Sequence, residues 1–336
     1  MPATDWREQP SPGEHERFEA HAAFLATLQQ KHARGSSRSR ALHAKGTGGL
    51  EAQLTVLGEL PEHARVGLFA APKTYRAYVR FSNGDPAVRR DRVADVRGLA
   101  IKVLGVGGKK VIPGLEDAPT QDFLLIQTPA TPFKDTDEFM GFVRAMQVPA
   151  LALPRIAMLL GLSRTLKLLQ GLKTGTGAPV PSLATLRYYS AVPLRFGACA
   201  VKLDALPKTP FVAGPTPESL NAELAARLEK GPVEFDLRAQ FFVDERRTPI
   251  EDASVVWPED LSPFVTLARL TLPRQTVDSE RGRRLADFVE RLSFDPWHAQ
   301  EELRPLGNIM RGRNVAYRVS TQARGVSKEP DGTETF

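Results

Sequence analysis

The sequence predicts an α+β fold, an antiparallel β-sheet or barrel with helices packed around it. Three observations predict it. Apolar and polar residues alternate with period two in the first third of the chain. Helical periodicity occupies separate blocks, most of them later. Connections between the early strands are short, which favours antiparallel pairing. At 336 residues, 42% hydrophobic and 25% charged, the composition is ordinary for a globular protein, with material for one large domain or two small ones. No internal repeat and no linker divides it.

Residues 1–12 read as a loose polar arm. From Glu14 to His32, Phe18, Ala22, Leu25 and Leu28 recur at helical spacing, and Gly35 ends the pattern. Leu50, Ala52, Leu54 and Val56 alternate with Glu51, Gln53 and Thr55, which is a strand with one buried face. In a second strand, Tyr75 to Ser82, Tyr78, Arg80 and Ser82 share one face and Val79 and Phe81 the other. Gly98 to Leu104 and Asp122 to Gln127 are short apolar strands. The glycines from Gly105 to Gly108 lack phosphate-loop spacing and read as a hairpin turn. Residues 135–172 are helical, with Phe139 and Phe142 one turn apart and a glycine break at 174–177. Strands follow at 197–204, 233–243 and 264–272. Helices are expected from Thr216 to Lys230 and from Asp278 to Leu292. The last dozen residues are polar and read as loose.

The closing helix, 308–324, carries an unusual stripe. Arg313 and Tyr317 are four apart, and Arg324 is two turns further on, so one face presents Arg, Tyr, Arg. A guanidinium beside a phenol favours the phenolate. An inward-facing phenolate is a hard ligand for ferric iron. The competing reading is a surface helix with two solvated arginines.

Other chemistries are disfavoured. Cys199 is the only cysteine, which excludes an internal disulfide and a cysteine metal cluster. The six histidines form no His-Glu-x-x-His motif, and Gly-x-Ser-x-Gly is absent. His15, His21 and His32 fall on the first helix and are expected on its wet face. His43 differs, lying between Leu42 and Ala44 just before a glycine-rich run; the competing reading is a structural histidine. Net charge is +6, but basic residues are dispersed among acids except at Arg34–Arg40, so nucleic acid is not an expected partner. No secretory signal opens the chain, and the expected location is the cytoplasm. The most lipophilic region, Val148 to Leu172, contains Pro149, Pro154, Arg155, Arg164 and Lys167, which argues against a membrane span. A packed core helix is expected there, a membrane-surface face being the alternative.

Set in order, these segments match a known pattern. Arg40-Ala41-Leu42-His43-Ala44-Lys45-Gly46 resembles the segment carrying the distal histidine in haem catalases. Val79-Arg80-Phe81-Ser82, Asp95-Val96-Arg97-Gly98 and Asp122 to Pro129 are similar to the family's successive strands, and Phe139 and Phe142 to its next helix. Val256-Trp257-Pro258 and Phe294-Asp295-Pro296 resemble landmarks before the proximal helix, and Gly312 to Arg324 resembles that helix. The likeness runs from about residue 38 to 326. The chain is identified as similar to small catalases and catalase-related peroxidases that lack the C-terminal region.

The resemblance implies an antiparallel β-barrel with haem b between barrel and C-terminal helix. It implies one domain, 36–326, with an arm and helix before it (1–35) and a polar tail after it (327–336). Tyr317 would ligate iron, and Arg313 would hold the phenolate. His43 would be the acid–base, with its ring fixed by Ser82. Arg40, Arg80 and Arg324 would meet the propionates. Phe139 and Phe142 would line the channel, and Leu42 would narrow it. Hydrogen peroxide or an organic hydroperoxide would be the substrate, with dismutation or oxidation of a small organic reductant as the outcome. A homo-oligomer is also implied. Alternatives on the same fold are a fatty-acid hydroperoxide isomerase or dehydratase and a non-catalytic haem binder.

The sequence departs from the family at the distal asparagine, whose position falls on Ile126. The adjacent Gln127 could serve only if a bulge or one-residue shift turned it inward.

Overall fold

The computed structural model describes residues 2–32, 45–85, 88–324 and 329–336, without the side chains of Gln29, Lys31, His32 and 319–324. Among the described residues, nine strands form one antiparallel sheet: β1 Gly46–Val56, β2 Thr74–Asn83, β3 Arg97–Leu104, β4 Thr120–Ile126, β5 Tyr188–Tyr189, β6 Leu194–Phe196, β7 Cys199–Pro207, β8 Val233–Phe241 and β9 Val265–Leu272. They run β5-β4-β3-β2-β1-β9-β8-β7-β6, and β5 also pairs with β7. That pairing closes eight strands into a barrel and leaves β6 as an extra ribbon on β7. Closure removes the open edges that a flat sheet would expose.

The period-two pattern decides which side chains fill the barrel. Val79, Phe81, Leu99, Ile101, Phe123 and Leu125 point inward and are almost fully buried. The opposite parity points out to the helices. Tyr78 packs on the ring of Phe288 in α6 (Glu280–Arg291), with Val289 of α6 in the same cluster. β1 begins earlier than expected, because the glycine run from Gly46 to Gly49 is itself paired, with a register shift between Gly46 and Gly48. Gly49 lets α6 approach. A Cβ there would lie 2.9 Å from Val289 Cβ and 3.0 Å from Ala286 Cα.

The remaining helices are α1 Glu14–His32, α2 Thr136–Ala145, α3 Pro149–Leu160, α4 Leu162–Thr176, α5 Leu220–Lys230 and α7 Asn308–Arg324. α5 starts later than the sequence suggests because Ser219, not Thr216, is the cap; its side chain accepts from Ala222 N. The connection from β3 to β4 is no tight hairpin. It runs over 105–119, and Lys110 Nζ closes it onto the carbonyls of Val106, Gly107 and Gly108.

Both terminal segments differ from expectation. Trp6 Nε1 donates to Ala198 O at 2.9 Å, and the Glu8 carboxylate accepts from Arg304, Arg311 and Gly307 N. In the tail, Glu329 pairs with buried Lys102, and Glu334 accepts from the Tyr78 hydroxyl at 3.0 Å. These partners lie up to about three hundred residues away in sequence, so local polarity gives no sign of them. His21 also leaves the wet face. It is buried, bonded to Asp137 at 2.8 Å and to Arg144 at 3.1 Å, which ties α1 to α2.

Candidate active site

Helix α7 presents two faces. Val315 packs with Phe18 and Ala22 of α1, and Arg311 is gripped from the same side by Glu8, Glu14 and Glu251. At 100° per residue, Arg313 and Tyr317 lie on the opposite face. There Arg313 Nη2 donates to the Tyr317 phenol oxygen at 2.7 Å, and the guanidinium carbon lies 5.1 Å from the ring centroid. Both side chains are half-buried. The expected Arg–Tyr pairing is therefore a hydrogen bond on a helix whose back is fixed by ion pairs. The side chain of Arg324 lies outside the described residues, as do Arg40, Leu42 and His43.

The barrel contributes the second group. β2 places Tyr78, Arg80 and Ser82 on its outer face, all three buried. Ser82 stands opposite Gly46 on β1 and Gly98 on β3, and Gly98 stands opposite Ile126 on β4. Ser82 thus sits between two glycines, with half-buried Ile126 next in the same row beyond Gly98 and Tyr189 of β5 after it. Arg80 is held by Glu290 of α6, Nε to Oε2 at 2.8 Å and Nη2 to Oε1 at 3.0 Å. Gly46 makes room for this pair, since a Cβ there would lie 2.4 Å from Glu290 Oε2.

Gln127 follows the end of β4. Its Oε1 accepts from Arg97 N at 3.1 Å, and its Nε2 donates to Gly175 O of α4 at 2.6 Å. The amide thus bridges β3 to α4. Phe139 and Phe142 lie on α2, 5.2 Å from the ring of Phe133 in each case, in an apolar cluster with Ile156 and Leu168. α2 is fixed to α7: Thr136 N donates to Asn308 Oδ1 at 2.8 Å, and a Cβ on Gly312 would lie 2.5 Å from Thr136 Oγ1. Beneath α7, Trp297 Nε1 donates to Met310 O at 3.0 Å. Nearby Asp295 is buried, and desolvation pushes its carboxyl up to about 6 despite the pull of His298 and the bond from Trp297 N.

Sequence reasoning missed Glu290 and Arg311. Neither has a local signal, because their partners are brought in by the fold. Gly312 did carry one, being a glycine inside a helix, where close packing is the usual cause.

A closed eight-stranded antiparallel barrel carrying an Arg–Tyr helix defines a catalase-like fold. A fungal catalase superposes with TM-score 0.67 at 19% identity, covering 90% of this chain and 62% of that one. Catalase A from Saccharomyces cerevisiae gives 0.67 at 17%, covering 90% and 64%, and a bacterial catalase gives 0.62 at 16%, covering 90% and 60%. The chain thus spans about three fifths of the length of these solved catalases. No family model matches the sequence. A catalase-related peroxidase of Mycolicibacterium paratuberculosis is 31% identical over 306 residues, covering 85% of this chain and 88% of that protein. The chain belongs to the catalase-related peroxidase family.

Membership implies a haem-dependent oxidoreductase, and the donor set fits that cofactor. A phenol hydrogen-bonded by a guanidinium suits ferric iron in a porphyrin. Among the described residues no group of histidine, cysteine or carboxylate side chains could hold a bare metal ion.

Proposed function

We propose that the chain is a haem b peroxidase that reduces hydrogen peroxide or an organic hydroperoxide at the expense of a small organic donor. The observation that carries this reading is the 2.7 Å bond from Arg313 to Tyr317 on the face of α7 turned away from α1. Tyr317 would hold the haem iron, as phenolate. The Arg313 guanidinium stabilises that anion and moderates its donation. Arg40 and Arg324 would meet the propionates, work that suits forked guanidinium donors. Arg80, whose Nε and Nη2 donate to Glu290, would reach a propionate only by sharing its guanidinium with that carboxylate.

Haem, when bound, supplies the iron site for peroxide and the two electrons that split the O–O bond. The chain's own residues supply the proton chemistry. His43 would take a proton from the near peroxide oxygen and return it to the far one, so that water or an alcohol leaves. Ser82, between two glycines on the outer face, would accept from the His43 ring and fix its tautomer. Phe139 and Phe142 would line the approach.

Ile126 favours peroxidase over dismutation. Two strands from Ser82 the row carries an aliphatic side chain, so that position offers no amide to orient a second peroxide. Gln127 would serve as that donor only with the second Nε2 hydrogen, the first being taken by Gly175 O. The test compares oxygen evolution with donor oxidation by the purified, haem-loaded protein. Donor oxidation dominating supports this reading. Oxygen evolution alone would return it to catalase. Consumption of a fatty-acid hydroperoxide with neither output would make it an isomerase or dehydratase.

A further inference from the structure

The α3–α4 hairpin shows more apolar surface than its packing requires. Of the 15 large hydrophobic side chains exposed among the described residues, nine fall between Met146 and Leu169. Met158 is 85% exposed, Leu162 76% and Leu166 67%. The inner face is ordinary: Ala152, Ile156, Thr165 and Leu168 are buried, two of them in the cluster with Phe133. The expectation of a packed core helix therefore holds for one stripe of each helix. The outer stripes read Leu151, Arg155, Met158, Leu159 on α3 and Leu162, Leu166, Leu169, Lys173 on α4.

Charge completes the pattern. No aspartate or glutamate occurs between Glu138 and Asp204. Glu138 itself is taken up by Arg164, whose guanidinium also faces Asp135 and Asp252 across the hairpin's inner side. Arg155, Lys167 and Lys173 thus stand among exposed leucines with no acidic neighbour on their own helices.

We infer that the outer face of the α3–α4 hairpin is a docking surface for an anionic lipid bilayer. An apolar stripe flanked by cations is the pattern that lies in the interfacial plane, gaining from buried apolar area and from attraction to anionic headgroups. The hairpin does not span. α3 has 12 residues and α4 has 15, and no described helix is long and apolar enough to cross. A second copy of the same face is a poor occupant, because like cationic stripes would meet. The hairpin is also held firmly: Gly175 O accepts from Gln127, and Arg164 pairs with Glu138 of α2. A bound bilayer would therefore lie beside the phenylalanine-lined approach. The inference itself rests only on the hairpin and stands whatever the enzyme oxidises.

The test is co-sedimentation of the full chain with phosphatidylcholine vesicles, with and without phosphatidylglycerol. Binding is expected only with phosphatidylglycerol and is expected to weaken as salt rises. The double variants L162E/L166E and R155E/K167E should each lose about tenfold or more in partition while keeping the wild-type melting temperature. Three outcomes overturn the inference: no partition by folded wild-type protein, partition unchanged in L162E/L166E, or a dimer in size-exclusion light scattering that L162E/L166E dissociates without any vesicle binding.

Discussion

Ser82 and Ile126 lie two strands apart in one row of the outer barrel face, both opposite Gly98. The serine supplies a polar atom and the isoleucine none. If the row is the distal wall, Ile126→Asn restores an amide donor there. A preorganised donor aimed at developing charge is worth about 10²–10³ in rate, so a gain of at least about tenfold in oxygen evolution relative to donor oxidation is expected. Paired steady-state assays check it, and an unchanged ratio in a well-folded variant counts against this placement of the wall.

Arg80, Glu290 and Gly46 form one coupled unit. Arg80→Met removes a buried cation and leaves its carboxylate half-exposed, with an expected loss of about 2–4 kcal/mol in urea unfolding. Gly46→Ala pushes the Glu290 carboxylate off its site and costs less. The two losses should not add, since each breaks the same pair. Additivity in a double-mutant cycle would show that Gly46 serves something else.

The N-terminal arm should detach in acid. Burial raises Glu8 and Glu14, but hydrogen bonds outweigh it and hold both carboxyls below the usual 4.5, those from Gly307 N, Arg304 and Arg311 at Glu8 and those from Arg311, Ser11 N and Asn308 at Glu14. A carboxyl lowered in the folded state contributes stability above its unfolded pKa and loses it as pH falls through the folded value. Limited proteolysis of residues 1–13 should therefore accelerate below about pH 4.5. Arg311→Met should produce the same release at pH 7, with a loss of about 3 kcal/mol.

Asp295 has the opposite sign. Its carboxyl is raised from 3.8 to about 6, so the folded protein binds the extra proton between those values. Its contribution is complete below pH 3.8 and is lost as pH rises through about 6, by at most about 3 kcal/mol. In thermal unfolding, Asp295→Asn should flatten the decline between about pH 4 and 6. An unaltered profile would mean that another group sets it.

Much of this was legible in the sequence because it is local. Alternation placed the inward and outward faces of β2, and the four-residue spacing put Arg313 beside Tyr317. The α7 span of 308–324 is as expected. What escaped is non-local. Closure depends on the two residues of β5, too few to show a period. Glu290 reaches Arg80 across 210 residues, and the polar arm looks loose until Arg304, Arg311 and Glu251 are folded around it. The exposure of the outer stripes of α3 and α4 is not legible in the sequence, because periodicity marks an apolar face without saying whether anything covers it.

The most direct test of Tyr317 as haem ligand is the absorption and electron paramagnetic resonance spectrum of the haem-loaded protein beside Tyr317→Phe and Arg313→Ala. The expected result is a Soret band with a high-spin ferric tyrosinate signature in the wild type. That signature should be lost in Tyr317→Phe and shifted, with haem retained, in Arg313→Ala. An identical spectrum in Tyr317→Phe, with haem bound, would contradict the assignment of the axial ligand and with it the reading of α7.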